Sequence, residues 1–139
     1  RLSYFHFAII SIAMFLLSCT ITDTTTNNFS YVINNTSDKE LKIVVKTNRV
    51  DTTLNITAHT DGTIYNGYEE FVGDAPSFGN PFFLKVFSVL KIEAADKSTI
   101  TLDYLNQSNW KSSTSGISMG STKTTTTIYK INIANSNFQ

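Results

Sequence analysis

"FSYVINNTSDKELKIVVK", residues 29–46, decides the fold. Phe29, Tyr31 and Ile33 occur at every second position, so all three fall on one side of an extended chain. That period of two belongs to a strand half buried against a core, whereas a helix groups residues three and four apart. "NTSDKE", residues 35–40, then breaks the alternation with side chains that favour turns. The pattern resumes with Leu41, Ile43 and Val45 inward and Lys42 and Lys46 outward.

The same alternation recurs toward the C-terminus. "TTLNITA", residues 52–58, places Leu54, Ile56 and Ala58 on one face, and Asp61-Gly62 is suited to a tight hairpin turn. "TIYNGYE", residues 63–69, reads as the return strand. Residues 71–83, "FVGDAPSFGNPFF", hold both prolines and predict a long loop. In "FLKVFSVLKIEA", residues 83–94, Leu90, Ile92 and Ala94 oppose Lys91 and Glu93. Asp96-Lys97 marks a turn into "STITLDY", residues 98–104, where Ile100, Leu102 and Tyr104 alternate. Residues 106–121 are a polar loop carrying the single tryptophan. The closing "TKTTTTIYKINIAN", residues 122–135, is a long strand suited to a central position beside the first one. About seven or eight strands with no amphipathic helix predict an all-β fold, an antiparallel sandwich of two sheets. A small closed barrel is the alternative.

Composition narrows the function classes. The chain of 139 residues is long enough for one domain. Eleven basic residues balance 11 acidic ones, which predicts no electrostatic footprint for nucleic acid. Charged residues are only 16% of the chain, and Thr, Ser and Asn cover much of the predicted surface, as in extracytoplasmic β proteins. One cysteine excludes an internal disulfide and a multi-cysteine zinc site.

That cysteine follows an apolar run, "FHFAIISIAMFLL", residues 5–17. Thirteen residues fall short of the roughly 20 that span a bilayer as a helix, but they suit the apolar section of a secretory signal peptide. The sequence opens at Arg1 without an initiator Met, so a further basic start upstream is expected. Leu16, Leu17, Ser18 and Cys19 resemble the lipobox of bacterial lipoproteins: an aliphatic residue, a variable one, a small one, then Cys. The resemblance implies that Leu16, Leu17 and Ser18 form the signal-peptidase recognition site. It also implies that Cys19 carries the lipid and becomes the first residue of the mature chain. Each buried methylene contributes about 0.8 kcal/mol, so two or three acyl chains anchor stably where one exchanges. The expected organisation is a signal peptide over residues 1–18, a flexible lipid-attached tether over 19–28, and a β-sandwich over 29–139.

Few residues suggest chemistry. His59 is the one histidine after the signal segment, and no Gly-x-Ser-x-Gly element frames a nucleophile for it. Glu69, Glu70 and Asp74 are an acidic cluster whose spacing matches no calcium loop. No metal and no cofactor is expected. Aromatic faces stack on sugar rings, which makes Trp110, Tyr68 and Phe78 the candidate ligand-binding residues; core filling is the plainer role for the same side chains.

Taken with the lipobox, "YVINN", "IYNGYEE", "PFF" before "KVFSVLKIE", and "YKINIANSNF" resemble small Bacteroidota lipoproteins. The resemblance implies an immunoglobulin-like β domain, export, and lipid attachment to a bacterial membrane, the outer membrane in particular. It implies no catalytic residue. The expected function is a non-enzymatic binding or structural module of the cell envelope. Two alternatives differ from it: a carbohydrate- or protein-binding surface lipoprotein using loops 71–83 and 106–121, and a hydrolase or hydrolase inhibitor. The expected partners are the membrane, through Cys19, and an envelope protein or glycan.

Overall fold

The computed structural model describes residues 23–73 and 85–139. The signal segment, Cys19, Asp74 and Phe78 lie outside these. Among the described residues seven strands follow one another: β1 (Thr24–Asn35), β2 (Leu41–Lys46), β3 (Asp51–Ile56), β4 (Thr60–Val72), β5 (Val89–Ala94), β6 (Trp110–Met119) and β7 (Thr122–Ile133). They form a four-stranded sheet in the order β4-β1-β7-β6 and a three-stranded sheet in the order β3-β2-β5. The two sheets pack as a sandwich and do not close into a barrel. β1 and β7, the first and last strands, lie side by side at the centre of the larger sheet and run parallel; every other pairing is antiparallel.

The alternation in residues 29–46 produces the core directly. Tyr31, Ile33, Leu41, Ile43 and Val45 are buried, and Ile92, Ile131 and Ile133 meet them from β5 and β7. Each such aliphatic side chain contributes roughly 1.5–3 kcal/mol on leaving water. No helix among the described residues is long and apolar enough to cross a membrane.

Four readings of the sequence change. Residues 24–28, expected as part of a flexible tether, form the first half of β1 and pair with both β4 and β7. Their inward side chains are Thr25 and Asn27, so no apolar period announces the strand. Residues 110–119, expected as loop, form edge strand β6 against β7, and only Trp110 of that strand is buried. The "STITLDY" segment keeps its alternation, with Ile100, Leu102 and Tyr104 packed against the core, but Ile100↔Phe138 is an isolated bridge rather than part of a strand.

Asp61-Gly62 makes no hairpin. β3 and β4 belong to different sheets, and the chain crosses between them through a turn in which His59 adopts φ 57°. Gly62 lies inside β4, where a Cβ would meet the Ile56 side chain at 2.5 Å. The glycine serves a close approach between the sheets and not a turn.

The sheets differ in length. The strands of the smaller sheet have six residues each, whereas those of the larger have 10 to 13. The smaller sheet therefore covers only part of the larger one, and among the described residues the inner face beyond it borders a groove.

Candidate functional site: an aromatic groove at the open half of the sandwich

A bulge shapes one wall. Tyr31 pairs with Tyr65 and Val32 with Thr63, which leaves Ile64 as an extra residue on β4. The insertion shifts the inward parity, so Ile64 and Tyr65 both turn toward the interior. Beyond the bulge, Gly67 lies opposite Phe29, and a Cβ there would stand 2.5 Å from the Phe29 ring. Any larger residue at 67 would displace that ring.

The rings gather into one cluster. Tyr31 and Tyr129 stack at 5.0 Å with an interplanar angle of 19°. Phe87 meets Tyr31 edge-on at 4.9 Å and Tyr65 at 5.7 Å. Phe29 lies 6.1 Å from Tyr65. Such offset and edge contacts each add about 0.5–1.5 kcal/mol beyond burial, so the cluster is a firm floor. Burial pushes the Tyr129 phenol above its ordinary value, and it stays neutral at physiological pH.

Above this floor opens a groove of about 500 Å³. The β2–β3 turn contributes Asn48 and Arg49, the segment before β5 contributes Lys85 to Ser88, and Tyr68 on edge strand β4 stands at the rim, 58% exposed. Arg49 makes no ion pair among the described residues. Asn27, 7% exposed, lies in the wall. Its Oδ1 accepts from the Thr125 hydroxyl, but its Nδ2 is buried with no hydrogen-bond partner. An orphaned buried donor costs about 1–3 kcal/mol, so native folds seldom keep one without a reason.

The candidate binding residues separate. Tyr68 joins the groove. Trp110 does not: it is 7% exposed, donates its indole N–H to the Tyr104 carbonyl at 2.8 Å, and meets Tyr31 edge-on at 5.8 Å. Phe78 lies outside the described residues, as do Cys19 and the three residues before it. Glu69 lines the groove, and no group of three metal-ligating side chains occurs among the described residues.

No family model matches the chain, and no curated protein or solved structure matches it either.

His59 sits elsewhere, at the opposite end. Its Nε2 lies 2.8 Å from Asp38 Oδ1, while Asn135 donates to the other carboxylate oxygen at 2.6 Å. Asn135, then His59, hold the Asp38 carboxyl below its ordinary value. Both members of the pair are exposed, and neither lines the groove. A second groove, about 610 Å³, borders β5 and the residues after it; there Lys91 is already paired with Glu93 at 2.6 Å.

Asn27, Phe29, Phe87 and Tyr129 escaped the sequence reading as site residues. The signal for Phe29 and Tyr129 was present but reads identically to core, since both obey the inward alternation. Asn27 precedes the first apolar residue of β1, where nothing in the sequence marks a strand.

Proposed function

We propose that this chain is a lipid-anchored lipoprotein of a bacterial cell envelope, and that its β-sandwich is a non-enzymatic binding module whose binding surface is the aromatic groove. The observation that carries the binding role is the groove that the described residues leave on the inner face of the larger sheet, with its ring floor and the unpartnered amide nitrogen of Asn27.

The lipoprotein reading rests on Leu16, Leu17, Ser18 and Cys19, and the end of the larger sheet supports it. Thr24 is five residues beyond Cys19, a reach of at most about 18 Å. In the register Val72–Thr24–Thr122–Met119, the two outer members are 77% and 76% exposed. Apolar side chains at the tip nearest the anchor suit contact with a membrane surface.

The anchor is tested by feeding cells a clickable fatty acid and following label in the protein. Wild type is expected to carry label and Cys19→Ala to lose it. Undiminished labelling of Cys19→Ala would contradict the anchor.

A further inference from the structure

The chemistry of the groove names the class of ligand. We propose that it binds an oligosaccharide, with one sugar ring lying on the aromatic floor and its hydroxyls held by Asn27 and Arg49. The proposal rests on the reading of the groove as the binding surface.

Three features point to a sugar. The lining combines aromatic rings with amide, hydroxyl and guanidinium groups, and Val86 is its one branched aliphatic side chain among the described residues. A lipid chain or a greasy peptide anchor gains most from aliphatic depth, which this lining does not offer. A pyranose ring presents the complementary pair of surfaces: a flat C–H face for stacking and a rim of hydroxyls for hydrogen bonds.

The second feature is Asn27. Its buried Nδ2 has a hydrogen to donate and nothing to receive it, while Thr125 already occupies its oxygen. A hydroxyl oxygen on the floor satisfies that donor once the Asn27 side chain turns toward the groove, because Nδ2 is buried in the free protein. Desolvation at Asn27 is then already met in the free protein, so the bond forms with less to lose.

The third is Arg49, which lines the groove and makes no ion pair among the described residues. A guanidinium fork spans two neighbouring oxygens, whether vicinal hydroxyls or the carboxylate of an acidic sugar.

The test uses the full chain purified in a zwitterionic, non-glycosidic detergent. Hexamers of β-1,4-glucose, α-mannose, N-acetylglucosamine and galacturonic acid are titrated against it, beside a random peptide library. The single tryptophan reports binding, because Trp110 abuts Tyr31 beneath the groove. At least one hexamer is expected to bind, with Kd weakened about tenfold in Tyr68→Ala and binding lost in Asn27→Leu. If peptides bind with the same Tyr68 dependence and no hexamer does, the sugar assignment fails while the groove stands. Hexamers that bind wild type and both variants equally would overturn both, and so would the absence of binding in both arms.

Discussion

Asn27 and Asn35 lie eight residues apart on the same strand and point to the same side of the larger sheet, yet they meet opposite fates. Asn35 is fully buried and fully used. Its Nδ2 donates to the carbonyls of Lys39 at 2.7 Å and Thr57 at 3.0 Å, and its Oδ1 accepts from the Ser37 N–H and hydroxyl. One side chain thereby ties the exit of β1 to the approach to β2 and the exit of β3. Asn27 is nearly as buried, but its amide nitrogen is left over. The closed end of the sandwich completes its hydrogen bonds within the fold; the open half keeps one in reserve. The difference separates a residue that holds the sheets together from one available to a ligand.

Three substitutions sharpen that contrast. The largest effect is expected at Trp110, which the structure places in the core. Trp110→Ala should cost roughly 3–5 kcal/mol in chemical denaturation, since it empties a large buried volume and leaves the Tyr104 carbonyl without its donor. Unchanged stability with lost ligand binding would put Trp110 among the binding residues instead. Asn35→Leu comes next: it orphans several buried groups at once and should cost about 3 kcal/mol.

The smallest effect concerns acid. At the closed end, Lys39 pairs with Asp96, and Ser98 donates to it as well, so the Asp96 carboxyl is held well below its ordinary value. Asp38 is lowered too. A depressed carboxyl stabilises the fold above its unfolded value, about 3.8, and that contribution disappears as pH falls through the folded value. Stability should therefore stay level from these groups between pH 7 and pH 5 and decline below about pH 4. Both carboxylates are exposed, so added salt should mute the decline, and Asp96→Asn should flatten part of it.

The closed half of the molecule was legible in the sequence because its strands carry a core on one face. Leu41, Ile43 and Val45 announce β2, and Tyr129, Ile131 and Ile133 place β7 beside β1. The open half was not legible, and the reason is physical. Where the smaller sheet ends, inward positions need not be apolar, so Thr25 and Asn27 or Ser112 and Thr114 sit in full strand pairing without any period of two in hydropathy. Backbone hydrogen bonds hold these segments, and the sequence does not display them. The Asp61-Gly62 pair misled for a related reason: its glycine answers a packing demand from Ile56, a contact between sheets that local turn chemistry cannot reveal. Of the site, Tyr68 was readable as an aromatic near a loop, while Asn27 required knowing which donors the fold leaves unpaired.

The most direct test sets Asn27→Leu beside Asn35→Leu in urea denaturation of the purified protein. Both replace an inward amide with an apolar side chain of similar size. Asn35→Leu is expected to lose about 3 kcal/mol, whereas Asn27→Leu should stay within about 1 kcal/mol of wild type, because removing an unpaired donor offsets the lost bond from the Thr125 hydroxyl. Equal losses in the two variants would make Asn27 a structural residue and remove the physical basis for a binding site at the open half.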